Sequence, residues 1–343
     1  MPRSIAIVMV NYRTPDLALA ALASATAERI AEPGLRAILV DGGSGDGSAD
    51  RMAAGLAGSP LAEWVDLLPL PINGGFGWAN NQAIQRLLQS ADPPDYIHLL
   101  NPDTILEPGA VSRLADALDA HPRCGAVGSL LLEQDGSPSG SAFAFPTIGR
   151  EAVRGGRMAI LERLFAPGKP VSFGDAAEDV DWATGASVMF RADALRDSGL
   201  FDTGFFLYFE EVELMWRMTK AGWSIRHEPA SRVKHVGGAA TGVNGSRPTA
   251  HRPPLPPYWY KSRRRFLVLA GSPAWAVAAS TAWLCGHAAL LVRRLFGGAR
   301  QHAIVERDAR NLIAHGLFLN TRDRTAAIAR WNDPLDLPPA WMA

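Results

Sequence analysis

Three short runs of branched apolar residues, at 5–10, 37–40 and 96–100, each close on polar or glycine-rich sequence. Continuous apolar runs of this length are how parallel strands covered on both faces look. Residues 16–30 and 79–89 supply helical stretches between them, and residues 108–120 supply another after the third. Strand alternating with helix predicts an α/β chain with a mostly parallel, doubly wound sheet. In such sheets chemistry gathers at the carboxyl ends of the strands, and those ends here carry Asn11, Asp41 and Asn101-Pro102-Asp103. Three polar clusters are thereby expected on one rim.

Composition narrows the partners. The 343 residues are 48% apolar and 20% charged, enough for one large or two modest domains. Lys plus Arg equals Asp plus Glu at 34 each, so the broad basic field of a non-specific nucleic-acid binder is excluded. Any bound anion must be gripped locally. Cys124 and Cys285 lie far apart, which supports neither a disulfide framework nor a thiolate zinc site and fits a reducing cytoplasm. The run at 5–10 is too short for a signal-peptide core and reads as a strand.

Further along, residues 125–132 and 180–190 read as strands, the latter containing Gly185, and residues 133–140 as a turn-rich hairpin. Residues 210–221 have helical spacing after the aromatic run at 205–209, while 143–179 show no clear pattern. Gly, Pro, Ser and Asn dominate 241–257, taken as a linker between a catalytic domain at 1–240 and a helical extension at 258–343. Lys261, Arg263, Arg264 and Arg265 precede an uncharged run at 266–292 that ends on Arg293 and Arg294. About 20 apolar residues suffice to span a bilayer. Basic residues at both ends specify no orientation, however, and Gly271, Pro273, Gly286 and His287 interrupt the run, which favours a packed or interfacial helix pair.

Each polar cluster has a plain structural reading beside a chemical one. Asp41-Gly42-Gly43-Ser44 through Asp46-Gly47-Ser48 is at least a glycine-rich turn; its spacing does not fit G-x-G-x-x-G, which disfavours an NAD-dependent oxidoreductase. An Asp at a strand end can accept from a base or ribose, while glycines let a nucleotide approach. Asn73-Gly74-Gly75-Phe76-Gly77, followed by Asn80 and Asn81, is a second such loop entering a helix. Asp103 beside Pro102 is an ordinary strand exit or a rigid carboxylate for Mg²⁺ or Mn²⁺, which His235 could complete. Glu210, Glu211 and Glu213 at a helix start either complement its dipole or supply a general base in a partly enclosed setting.

Taken in order, these segments resemble the family-2 glycosyltransferases of the GT-A fold, especially the bacterial rhamnosyltransferase-like branch. Val10-Asn11-Tyr12, the Asp41 and Asn73 loops, Leu99-Leu100-Asn101-Pro102-Asp103-Thr104, Thr184-Gly185-Ala186, the stretch from Phe209 to Arg217, and Lys234-His235 carry the likeness. The resemblance implies an inverting, metal-dependent transfer of a sugar, L-rhamnose from dTDP-rhamnose first and UDP-sugars next, to a glycan or lipid-linked saccharide. It also implies site roles. Asn11, Tyr12, Asp41, Gly42, Asn73, Gly74, Asn80 and Asn101 would contact the donor, and Asp103 with His235 would hold the cation. Glu211, with Glu210 beside it, falls on the catalytic base, where the family usually has Asp. Trp182, Gly185 and Ala186 would line the sugar and acceptor pocket. The basic, apolar extension would dock peripherally on the cytoplasmic membrane face, where anionic lipids attract Lys and Arg. A non-catalytic nucleotide-sugar-binding module of the same fold is the rival reading.

Overall fold

β1 (Ile5–Asn11) is buried along nearly its whole length, so it requires neighbours on both edges and cover on both faces. β2 (Arg36–Asp41) and β4 (Tyr96–Leu100) pair with it in parallel, and β3 (Val65–Pro69) adds in parallel to β2. The strand order β3-β2-β1-β4 reverses direction of growth between β1 and β4, the crevice where doubly wound sheets bind ligands. This computed structural model describes residues 3–165, 171–172, 176–235, 251–297 and 304–342.

The nine-stranded sheet continues as a mixed half. β11 (Ser187–Arg191) lies antiparallel between β4 and β6 (Cys124–Leu132), and β12 (Ser224–His235) runs parallel to β6. β5 (Thr104–Leu106) and β9 (Glu178–Val180) both pair antiparallel with β12. The run at 180–190 is therefore not one strand. β10 (Trp182–Ala183) peels away into a small sheet with β7 (Ala142–Phe143) and β8 (Val171–Ser172), and Gly185 sits in the turn that returns the chain to β11.

Alternation along β1 divides the core in two. Ile5, Ile7 and Met9 pack under α1 (Pro15–Ala25), α3 (Ser48–Leu56) and α5 (Ala110–Ala120). Ala6 and Val8 face α4 (Phe76–Leu88), α8 (Ala192–Ser198) and α9 (Glu210–Lys220). The helix expected at 16–30 breaks near Thr26, and its remainder is the short α2 (Glu28–Ala31).

The uncharged run at 266–292 divides at Gly271, Ser272 and Pro273 into α10 (Pro257–Ala270) and α11 (Pro273–Leu295). α11 lies on α6 (Ile148–Gly156) so closely that a Cβ at Gly286 would stand 2.4 Å from the Ala152 carbonyl oxygen. α7 (Ala159–Phe165) follows α6 and buries no residue. By length and composition α11 could cross a membrane, with a mean hydropathy of 1.5 and a third of its apolar window buried inside the protein. The basic flank expected to meet lipids is elsewhere. Arg263, Arg264 and Arg265 are buried and pair with Glu151 at 2.7 Å, Asp323 at 2.6 Å and Asp202 at 2.8 Å. Desolvation is tolerable only for paired charges, so these three cations belong to the protein interior, two of them against carboxylates of the 1–240 part, and not to the surface. Of the expected linker, 241–250 falls outside the described residues, and Pro257 already opens α10.

Candidate active site

The β1–β2 register sets Asn11 opposite Asp41 at the carboxyl ends of both strands. Asn11 Nδ2 donates to Asp41 Oδ1 at 3.1 Å, and Ser44 donates to the same carboxylate through its amide at 3.1 Å and its hydroxyl at 2.6 Å. Three of the roughly four acceptor positions of Asp41 are thus used in shaping its own loop, leaving about one for a ligand. Gly42 approaches the Asn11 carbonyl, and Gly43, with φ +70°, abuts residue 72 so tightly that a Cβ would lie 2.2 Å from the Ile72 carbonyl carbon. Only glycine permits that contact, which joins the first loop to the second. Tyr12 is half-buried, and the Arg13 guanidinium lies over its ring at 5.1 Å.

In the second loop, Asn73 Oδ1 accepts from the Gly75 amide at 3.1 Å, and Gly74 is covered by the Trp78 ring. Asn80, expected to touch the donor, lies in the second turn of α4. It is buried and donates to the Phe76 carbonyl at 2.9 Å, one turn back, because its place in α4 faces the core.

At the end of β4 the Thr104 hydroxyl donates to the Asn101 carbonyl at 2.6 Å and closes the turn that presents Asp103. Antiparallel pairing of β12 with β5 sets His235 opposite Thr104, which brings His235 Nε2 to 3.3 Å from Asp103 Oδ1. Among the described residues there is no cluster of three or more His, Cys, Asp or Glu that could hold a metal. One oxygen and one nitrogen donor on a wall nevertheless fit a divalent cation of the kind that takes its other ligands from substrate phosphates and water.

α9 carries the acids. Tyr208 and Phe209, just before it, both adopt positive φ, 69° and 68°, a costly conformation for aromatic residues that aims the first turn of the helix. Glu210 turns toward α4, its Cβ 3.4 Å from where a Cβ at Gly77 would stand, whereas Glu211 Cβ lies 4.0 Å from the corresponding point at Gly185. Glu213 pairs with Arg217 at 2.7 Å and is structural. Among the described residues, neither Glu210 nor Glu211 finds a hydrogen-bond partner for its buried Oε2. Burial pushes Glu211 up to about 7; burial and the neighbouring Glu211 raise Glu210 well above the usual carboxylate range. Gly185 also faces the Phe76 ring, and the Asn101 amide donates to the Ala186 carbonyl at 2.9 Å, so the metal wall and the acid wall meet at this small pair. Trp182 is stacked on Phe143 with ring centres 4.4 Å apart. A cleft of about 880 Å³ lined by Arg3, Tyr96, Asp119 and Arg191 opens at the amino ends of β1 and β4, away from all of these groups.

The model of glycosyl transferase family 2 matches residues 4–148. The chain is also 33% identical over 252 residues to the N-acetylglucosaminyl-diphospho-decaprenol L-rhamnosyltransferase of Mycobacterium tuberculosis, covering 69% of this chain and 77% of that protein. The chain belongs to glycosyl transferase family 2. This family 2 glycosyltransferase is 28% identical over 167 residues to the rhamnosyltransferase WbbL of Escherichia coli K12, covering 47% of this chain and 60% of that one. Its fold is shared with a mannosyltransferase of Pyrobaculum calidifontis solved with GDP-Man and Mn²⁺, at a TM-score of 0.53 and 14% identity over 88% of this chain and 78% of that one. The fold is thus GT-A-like, and the reaction is transfer of a sugar from a nucleotide-linked donor. The dinucleotide oxidoreductase reading is set aside by family membership.

Two features of the glycosyltransferase site escaped the sequence reading. Arg13 has φ 60° and spans the first loop, its amide donating to the Ser44 hydroxyl at 3.0 Å and its Nε to the Ser44 carbonyl at 3.1 Å. A cation directly after Asn11 and Tyr12, at a strand end expected to face the donor, was the available signal. Trp341 donates its indole N–H to the Gly74 carbonyl at 2.8 Å, a contact for which residues 330–342 offer no motif.

Proposed function

We propose that this enzyme is an inverting, divalent-cation-dependent rhamnosyltransferase that uses dTDP-L-rhamnose and a saccharide carried on a lipid. The observation that carries the mechanism is the Glu211 carboxyl, desolvated with no counter-ion among the described residues, raised to about 7 and turned toward Gly185. A base of that strength is half ionised near neutral pH, which suits removal of a proton from an acceptor hydroxyl during attack. The hydroxyl oxygen bonds to the anomeric carbon as the bond from that carbon to the diphosphate oxygen breaks, and its proton passes to Glu211. Attack from the face opposite the leaving group inverts the configuration and requires no covalent intermediate. Asp103 and His235 would hold Mn²⁺ or Mg²⁺, which when bound neutralises charge on the departing diphosphate. Asn11, Asp41 and Gly42 would shape the base and ribose pocket, with Tyr12, Asn73, Gly74 and Asn101 on its sides. Trp182, Gly185 and Ala186 would bound the sugar.

The names of both relatives support rhamnose, and that of the mycobacterial one supports the L sugar and, through its decaprenol-linked substrate, a lipid-linked acceptor. A cytoplasmic, peripheral position at the membrane follows from that acceptor. With Arg263, Arg264 and Arg265 internal, the surface suited to it is the end of α11 together with α7. Leu291, Val292, Leu295 and Phe296 are exposed around Arg293 and Arg294, and Ile160, Leu164 and Phe165 are exposed on α7.

Thermal unfolding with a panel of sugar nucleotides and MnCl₂ tests the donor, since ligands that bind the native state raise its stability. dTDP-L-rhamnose should give the largest shift; a larger one with a UDP-sugar reassigns the donor. Asp103→Asn should abolish the Mn²⁺-dependent part of that shift and the activity, and full activity in excess EDTA would remove the cation from the reaction. The anomeric configuration of the product, read by NMR, must be opposite to that of the donor.

A further inference from the structure

Residues 327–342 form a strap that the reaction above does not use. It begins as an extended partner of the segment before the catalytic acids: the Leu200 amide donates to the Ala329 carbonyl at 2.8 Å and the Thr203 amide to the Ala327 carbonyl at 2.9 Å. It then runs along α4 toward the start of that helix. Trp78, Gln82, Gln85 and Gln89 lie at i, i+4, i+7 and i+11, one face of a helix, and each grips the strap's backbone. Gln89 Nε2 donates to the Trp331 and Asp333 carbonyls at 2.8 and 3.0 Å, and Gln85 Nε2 to the Arg330 carbonyl at 2.8 Å. Gln82 Oε1 accepts from the Asp336 amide at 3.1 Å, and Trp78 Nε1 donates to the Leu337 carbonyl at 2.7 Å.

Where α4 begins, the strap delivers Trp341. Its indole N–H donates to the Gly74 carbonyl, its backbone amide donates to the Thr203 carbonyl at 3.2 Å, and its ring stands edge-on to Phe206 at 5.0 Å between centres. Phe206 is already tied to the other loop, because its carbonyl accepts from the Phe76 amide at 3.1 Å across Gly75. Gly75, with φ +91°, permits this approach, since a Cβ there would fall 2.0 Å from the Phe206 oxygen. Trp341 therefore touches both the Gly74 loop and the segment that leads, through strained Tyr208 and Phe209, into Glu211.

We propose that Trp341 is a positioning residue that clamps the donor loop at Gly74 to the acid-bearing loop at Phe206 and so fixes the distance between the bound sugar and Glu211. The proposal rests on the assignment of the Gly74 loop to the donor and of Glu211 to the base. The Phe76–Phe206 backbone bond joins the two loops at one point, about which they can still pivot unless a second contact spans them, and misplacement of reacting groups by about 1 Å costs on the order of a hundredfold in rate. The spanning contacts are one hydrogen bond and one edge-to-face ring pair, which substitution separates.

The test is steady-state kinetics on full-length Trp341→Ala and Trp341→Phe with saturating acceptor, alongside melting temperatures and titration with dTDP in MnCl₂. Trp341→Ala should lower kcat by roughly ten- to a hundredfold and weaken dTDP binding. Trp341→Phe, which keeps the ring contact and loses the N–H, should fall between it and the wild type. If both variants lower the melting temperature yet keep wild-type kcat and donor KM well below it, the strap serves stability alone and the proposal fails. If Trp341→Ala does not fold, Trp341→Phe carries the same comparison. Glu211→Gln run in parallel separates the assumptions: an unaffected turnover there refutes the base, while loosened dTDP binding in the Trp341 variants still upholds the clamp on the donor loop.

Discussion

Glu210-Glu211-Val212-Glu213 and Arg263-Arg264-Arg265 look alike in the sequence: each crowds three like charges onto a helix, and each is largely buried in the fold. Their surroundings differ. Every one of the three arginines meets a carboxylate from a distant part of the chain, whereas among the described residues Glu210 and Glu211 meet no cation and each keeps a buried oxygen without a partner. Arg154 and Arg263 overcome the burial of Glu151 and hold it down to about 2; among the described residues no cation does so for Glu211, which burial carries up to about 7. A paired buried charge joins segments together, and an unpaired one is a strained group available for proton transfer.

The strongest way to break this contrast is Glu211→Gln, which should lower turnover by roughly 10²–10⁴-fold while leaving dTDP affinity nearly unchanged. Glu210→Gln, which faces α4, should cost less; the opposite order in a kinetic assay would hand the role of base to Glu210. On the arginine side the effect should be on stability. Arg265→Met strands Asp202 without its cation and should cost about 3–5 kcal/mol in denaturant unfolding. Exchanging Arg265 and Asp202 together for apolar residues of similar volume should recover most of that loss, and if it does not, the pair contributes more than mutual neutralisation.

The pH dependence sharpens the same contrast at smaller amplitude. A carboxyl raised in the folded state from 4.5 to about 7 contributes stability that is full below about pH 4.5 and is lost as pH rises through about 7. The difference in melting temperature between wild type and Glu211→Gln should therefore drift across pH 4.5–7, while wild-type activity rises through about 7 as the base ionises. A flat difference would show that Glu211 is not perturbed. The smallest effect belongs to Lys261, exposed on the same helix as the arginines: Lys261→Gln should move unfolding by less than about 0.5 kcal/mol.

Much of the fold was legible because it is written locally. The apolar runs that became β1, β2 and β4 carry their own burial pattern, and the glycine-rich ends that became loops follow them directly. β12 was equally readable, alternating buried with less buried positions from Ile225 to Val233, yet its charged residues hid it. For Asn80 the sequence is silent on direction: an Asn one turn into a helix can point either way, and here it donates back to the Phe76 carbonyl. His235 could be set beside Asp103 only by likeness to a family. Its physical warrant, the pairing of β12 with β5, joins residues 132 positions apart.

By itself the sequence determined where strands and helices alternate and which polar residues stand at strand ends, because periodicity and turn chemistry act over a few residues. The tertiary structure alone decided what became of the charges. Whether a buried Glu or Arg finds a counter-ion depends on segments brought from far along the chain, as Asp202 and Asp323 are brought to α10 and Trp341 to Gly74. Desolvation then acts on what pairing has left over, which among the described residues is Glu211, without a cation beside Gly185.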